Sequence, residues 1–119
     1  MKKTLIIGAS RNPERYSYKA AESLLNHGHT IEMLGLRPDV IFNQTIDTEQ
    51  KPFADIDTVT LYVGPKNLPV YYDYIISLNP KRVLFNPGTE NPEFQAMLKQ
   101  HNIYYEEACT LVLLSTNQY

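Results

Sequence analysis

Cysteine is almost missing from this 119-residue chain: Cys109 stands alone. A single thiol excludes an intrachain disulfide, fits a reducing compartment and makes a cytoplasmic location the expectation. Long apolar runs are missing as well. None approaches the ~18 residues that a membrane-spanning helix needs, so no membrane role is expected. Neither sign of charge dominates, with 11 Lys and Arg against 13 Asp and Glu and a net charge of −2 at pH 7. That balance excludes a general attraction to nucleic acid or anionic lipid. Repeats, low-complexity tracts and linkers are absent, and the length suits one domain over residues 1–119. The three histidines, His27, His29 and His101, are scattered, with no cysteine or carboxylate at metal-ligand spacing. No metal site is expected.

What is present is an alternation of strand-like and helix-like segments, the mark of an α/β layered fold. The apolar run at 3–9 is too short for the core of a signal peptide and ends at Arg11-Asn12, so it reads as a buried first strand. A helix is expected over 17–27, with Ala20, Ala21, Leu24 and Leu25 on one face and Gly28 at its C-cap. A second strand follows at 29–35. Residues 38–52 read as irregular, with a short strand near 44–46. A buried strand at 57–63 leads to Gly64-Pro65. Asn67 then reads as the cap of a helix with Pro69 in its first turn and Tyr71, Ile75 and Leu78 at helical spacing.

A strand at 82–85 is closed by Asn86-Pro87-Gly88-Thr89. Asn91-Pro92-Glu93 is a strong helix start: a cap, a first-turn proline and an acid near the positive end. Phe94, Met97 and Leu98 face inward, and His101-Asn102 closes that helix. A last short strand is expected at 103–106, and the apolar stretch 110–114 should pack against the body. The sum is a three-layer sandwich around a mainly parallel sheet of about five strands.

A parallel sheet presents ligands to the loops at the carboxyl ends of its strands. Here those loops span 9–16, 35–39, 64–67 and 86–89, and all are rich in small or polar residues. The first, Gly8-Ala9-Ser10-Arg11-Asn12-Pro13, joins a strand to a helix N-terminus, where backbone N–H groups and the helix dipole favour an anion. It is not a dinucleotide fingerprint, because Ser10 and Pro13 stand where the second and third glycines belong. Ser10 can donate to a phosphate, and Arg11 and Arg15 can add charge-assisted bonds. Lys2, Lys3 and Lys19 join these arginines in the first twenty residues, against Glu14 alone. Tyr16 and Tyr18 lie close enough to line a ligand.

At the end of the second strand, Leu34-Gly35-Leu36-Arg37 offers a cation where NAD-binding domains place an acid. A basic residue there suits a ribose phosphate, as in NADP or coenzyme A. No catalytic group stands out. Cys109 has no partner base in sequence, and Glu106 and Glu107, adjacent on a strand, face opposite sides. The nine tyrosines include Tyr71, Tyr72, Tyr74, Tyr104 and Tyr105, which read as packing or a subunit contact.

The stretch Leu5-Ile6-Ile7-Gly8-Ala9-Ser10-Arg11-Asn12-Pro13-Glu14-Arg15-Tyr16-Ser17-Tyr18 resembles the opening of the small CoA-binding-domain proteins, single-domain relatives of the nucleotide-binding half of the succinyl-CoA synthetase alpha subunit. The similarity runs across nearly the whole chain in the same order of strands and loops. It implies a Rossmann-like sheet holding coenzyme A or an acyl-CoA along its carboxyl edge. It places Gly8, Ala9, Ser10 and Arg15 at the phosphate or pantetheine end, with Arg11, Tyr16 and Ser17 beside them. Gly35, Leu36 and Arg37 would meet the ribose phosphate. Tyr62-Val63-Gly64-Pro65 would pack beside the adenine, with Asn67 and Thr89 orienting the rest, and Asn86-Pro87-Gly88-Thr89 would lie nearer the thiol. Gly35-Leu36 departs from the Asn-Pro that the family often carries, and the sequence after Cys109 also differs. The resemblance implies a ligand-binding module without a reaction of its own. A small NADP-dependent oxidoreductase and an interaction protein with a vestigial pocket are the alternatives. Expected partners are a small nucleotide ligand and either a second copy of the chain or an acyl-CoA enzyme.

Overall fold

The fold, a computed structural model, describes all of residues 1–119. Seven strands form one sheet in the order β3-β4-β2-β1-β5-β6-β7. They are β1 (Thr4–Ile7), β2 (Ile31–Leu34), β3 (Asp39–Ile41), β4 (Gln44–Asp47), β5 (Thr58–Leu61), β6 (Arg82–Phe85) and β7 (Tyr104–Glu107). All neighbouring pairs are parallel except β3 and β4. The α/β class is as expected, with seven strands rather than about five. The difference arises at 38–52, read as mostly irregular. Phe42 and Asn43 take left-handed backbone conformations, with φ of 51° and 60°, and close a two-residue hairpin between β3 and β4. A turn without glycine gives little local signal for such a hairpin.

Four α-helices cover the sheet: α1 (Tyr16–Asn26), α2 (Tyr72–Leu78), α3 (Pro92–Gln100) and α4 (Thr110–Ser115). The alternation of side chains along each strand divides the core between the two faces. Leu5, Ile7, Val59, Leu61, Val83 and Phe85 meet α2 and α3 through Tyr72, Ile75, Phe94 and Leu98. Tyr72 stacks on Phe94 with ring centroids 4.5 Å apart and planes 3° from parallel. Ile6, Ile31, Met33 and Ile46 meet α1 and α4 through Ala21, Leu24 and Leu114. Tyr72 and Tyr74 are therefore core residues.

Helix ends follow local chemistry in most places. Asn91 caps α3 by accepting from the Phe94 amide at 3.0 Å, and its side-chain amide donates to the Tyr72 hydroxyl at 2.9 Å. Gly28, at φ +83°, follows α1 where a C-cap glycine belongs. Asn67 does not act as a cap. The chain enters a short 3-10 turn at Pro69–Tyr71 with Leu68 at the cap position and no side-chain cap bond, and only then becomes α2. The apolar stretch expected to pack on the body does so as α4. Beneath α4 the sheet face is partly polar: Thr58, Thr60 and Arg82 point the same way and are buried.

Candidate functional site

Because six of the strands run parallel, the four loops named above share one edge of the sheet. The registers Ile7↔Leu34, Ile7↔Leu61 and Leu61↔Phe85 set Gly8, Gly35, Tyr62 and Asn86 level with one another. From β1 the chain moves to β2 on one side and later to β5 on the other, so the strand order reverses at β1. That reversal is where a doubly wound sheet opens a crevice for ligands.

Two glycines bring the loops together. A Cβ on Gly8 would sit 2.7 Å from the Tyr62 carbonyl oxygen and 2.9 Å from Val63 Cγ2, and Gly8 also has φ +93°. A Cβ on Gly35 would sit 2.4 Å from the Ala9 carbonyl oxygen and 3.0 Å from Ile46 Cγ2. The first loop thus rests directly on the ends of β2 and β5. Gly8 and Ala9 amides both donate to the Leu34 carbonyl, at 2.9 and 2.8 Å.

Beyond that anchor the first loop winds on its own side chains. Ser10 Oγ accepts from the Asn12 amide at 3.1 Å, and Asn12 Oδ1 accepts from the Glu14 amide at 3.0 Å. The Arg15 amide donates to the Asn12 carbonyl at 3.0 Å. Arg15, with extended backbone at φ −77° and ψ 142°, precedes α1 without capping it. The amides of Ser10, Arg11, Tyr16 and Ser17 have no protein acceptor. Donors left open at a helix start are ready for an external anion. The Ser10 hydroxyl accepts a bond and keeps its own proton to donate.

The charges divide along the chain. Arg11 reaches Asp39 at 3.5 Å and so links the first loop to the second, with its side chain 76% exposed. Arg15 and Arg37 are exposed and take part in no ion pair, and Leu36 beside Arg37 is fully in solvent. Lys19 lies over the exposed Tyr16 ring. Lys2 and Lys3 do not join this group. They precede β1, at the opposite edge of the sheet, where Lys3 donates to the Ala54 carbonyl at 2.8 Å and Lys2 to the backbone oxygen of Tyr119 at 2.6 Å.

The third and fourth loops contribute differently. Val63 and Gly64 are half-buried, Pro65 and Asn67 are exposed, and the Asn67 amide donates to the Gly64 carbonyl. Asn86 turns inward. Its Nδ2 donates to Thr60 Oγ1 at 2.7 Å and to the Leu61 carbonyl at 2.8 Å, and its Oδ1 accepts from the Thr110 amide at 2.9 Å. The Thr89 hydroxyl donates to the Asn86 carbonyl at 2.8 Å. Only Pro87 and Gly88 of this loop face solvent freely. Two residues not singled out from the sequence, Thr60 and Thr110, belong to this region beside Tyr62. Thr60 and Thr110 share a hydroxyl–hydroxyl bond of 2.8 Å, and the Tyr62 hydroxyl is buried with no hydrogen-bond partner. Burial pushes the Tyr62 phenol up to about 12, with the nearby Thr110 and Thr60 hydroxyls pulling the other way. It is a neutral donor throughout the physiological range. The threonines at alternate positions of an otherwise apolar β5 were the available signal.

The crevice edge is therefore an open shelf of free amides and unpaired guanidinium groups over a rigid floor. Such a surface can receive an extended polyanion. It shows no nucleophile hydrogen-bonded to a base. Cys109, half-buried before α4, is a free thiol. No group of three or more His, Cys, Asp or Glu is arranged to hold a metal ion, and no helix is long and apolar enough to cross a membrane. Two cavities of about 190 and 200 Å³ lie away from the first loop, one beyond the end of β4 and one beside His29 and Tyr119.

Comparison with known proteins places the chain in a family. Residues 2–115 match the family described as "CoA binding domain". The chain is 46% identical to a crystallised protein described only as uncharacterized, over 100% of this chain and 98% of that one, with a TM-score of 0.98. A hypothetical protein from Pyrococcus horikoshii OT3 is 25% identical, over 97% of this chain and 82% of that one, with a TM-score of 0.87. A Thermus thermophilus structure, cell-free ID.343, shares the fold at 18% identity and a TM-score of 0.84, over 99% of this chain and 90% of that one. No curated protein matches.

Proposed function

This chain belongs to the CoA-binding domain family, and from that premise we propose that it binds coenzyme A or an acyl-CoA across the crevice edge, as a ligand-binding module. The observation that carries this reading is the set of unpaired donors at Ser10, Arg11, Tyr16 and Ser17, held at the point where strand order reverses. A diphosphate lying there would meet those amides, the Ser10 hydroxyl and the positive end of α1. Arg11 and Arg15 supply charge from the same loop, and Arg37 faces the ribose phosphate. Gly8, Ala9 and Gly35 form the floor rather than the donors, since their amides already serve the sheet. Val63, Gly64, Pro65 and Asn67 wall one side, with Leu36 available to an adenine. Pro87 and Gly88 lie toward the thiol, on a loop that Asn86 and Thr89 hold in shape.

The double substitution Ser10→Ala with Arg37→Ala tests the assignment. One hydroxyl bond and one charge-assisted contact together amount to about 2–4 kcal/mol. Calorimetry with coenzyme A should show affinity falling by roughly two orders of magnitude, and unchanged affinity would count against the reading. NADP in a parallel titration separates it from a reductase, which would prefer the nicotinamide nucleotide.

A further inference from the structure

The β7 edge of the sheet carries a pattern that the ligand crevice does not use. β7 pairs with β6 alone, and the Ala108 amide just after it donates to the Phe85 carbonyl at 3.1 Å. Backbone groups alternate in direction along a strand, so Tyr104 and Glu106 turn theirs toward β6. Tyr105 and Glu107 turn their N–H and C=O groups outward, with the Ile103 carbonyl just before them, and none of these meets a protein partner. The opposite edge, β3, has three residues and is folded into a hairpin. β7 lacks the proline, lysine or bulge that commonly guards an exposed edge. Its charges are two glutamates, one on each face.

The α3 face of this edge holds two ions that are single within the chain. Tyr105 packs edge-on against Phe85, with centroids 5.8 Å apart, and Glu107 on the same face accepts from Gln95 Nε2 at 2.9 Å. Lys99 stands one helical turn after Gln95. The Ile103 amide returns to the Leu98 carbonyl at 2.9 Å, so Lys99 lies level with the start of β7. Lys99 and Glu107 are both exposed, and neither has an ion pair. On the other face Tyr104, 59% exposed, donates to Glu106 at 3.0 Å.

We propose that β7 pairs antiparallel with β7 of a second copy of this chain, about a two-fold axis through Tyr105. Charge and free backbone groups select the register. An axis at Glu106 or Glu107 sets two carboxylates directly opposite each other, which is destabilising. An axis at Tyr104 turns the Tyr105 carbonyl toward the partner's Ile103 amide, which Leu98 already holds. With the axis at Tyr105, the two Tyr105 residues exchange N–H···O bonds, and each Glu107 amide donates to the partner's Ile103 carbonyl. Each Tyr104 then lies across from the partner's Glu106, phenol against carboxylate. Each Glu107 lies across from the partner's Ile103 and beside the partner's Lys99, so both single ions gain an opposite charge. β5 and β6 stand between this edge and the crevice at β1. The pairing therefore leaves the ligand site open and does not depend on it.

The test is mass by light scattering after size exclusion, at about 10 to about 500 μM protein, a range suited to the micromolar dissociation constant of a small interface. The wild-type mass should rise with concentration toward twice 13.7 kDa. Glu107→Lys sets a lysine against the partner's Lys99, and Lys99→Glu sets a glutamate against the partner's Glu107. Each variant alone should associate at least about tenfold more weakly than wild type. Mixed in equal amounts, the two variants restore both opposite-charge pairs, and the mass should rise again. A wild-type chain that stays at 13.7 kDa, which would leave the edge to a strand of another protein, would overturn the pairing. So would single variants that associate as wild type does, or a mixture no heavier than its parts.

Discussion

Gly8→Ala is expected to remove about 3–5 kcal/mol of folding stability, a large share of what a domain of this size holds. Two independent terms add. A non-glycine residue at φ +93° carries backbone strain of about 1–3 kcal/mol. The new methyl would also stand 2.7 Å from the Tyr62 carbonyl oxygen at the end of β5, and such overpacking costs about 1–3 kcal/mol more because a strand end cannot step aside. Gly35→Ala lacks the backbone strain but meets Ala9 O at 2.4 Å, so about 2–3 kcal/mol is expected. Gly64→Ala, with nothing within 4 Å and no positive φ, should be close to neutral. Thermal unfolding of the three variants checks the order, with Gly8→Ala melting at least 10 °C lower, as about 3–6 °C per kcal/mol implies. Equal melting temperatures for Gly8→Ala and Gly64→Ala would show that the loops do not touch as described.

Asn86→Asp should be nearly as damaging as Asn86→Ala, although it changes one atom. Asn86 is 2% exposed, and its side-chain amide serves three partners on two elements: Thr60 and the Leu61 carbonyl on β5, and the first amide of α4. Alanine leaves the Thr110 N–H and the Leu61 C=O without partners, at about 1–3 kcal/mol each. Aspartate restores the acceptor for Thr110. It then turns a second oxygen on Leu61 O, where only a donor fits, and must be buried either as a charge or as an acid. We expect losses of about 3 kcal/mol or more for both variants by urea unfolding at neutral pH. An aspartate variant as stable as wild type would mean that the Leu61 bond is dispensable.

These two residue types show what the sequence could and could not reveal. The strand–helix alternation, the parallel sheet and the four loops on one edge were legible, because apolar runs, caps and glycines are local signals. The resemblance carried by residues 5–18 led to the family that the chain proves to belong to. The β3–β4 hairpin was not legible, since Phe42-Asn43 lacks the usual turn glycine. The inward turn of Asn86 was hidden for a different reason. A loop asparagine looks alike whether it faces solvent or three buried partners, and those partners lie 24–26 residues away. Lys2 and Lys3 are close to the first loop in sequence, yet β1 carries them to the far edge of the sheet. Tyr119 meets Thr4 across 115 residues, a contact that no local pattern announces.

The shelf over the first loop stands or falls on where coenzyme A touches the protein. NMR titration of the isotope-labelled chain with coenzyme A measures that directly. The amide resonances of Ser10, Arg11, Tyr16 and Ser17, free of protein acceptors, should show the largest shifts, with Arg37 following, while the amides around Tyr119 stay still. Saturable shifts that leave those four amides unmoved, or no shifts at millimolar ligand, would contradict the account.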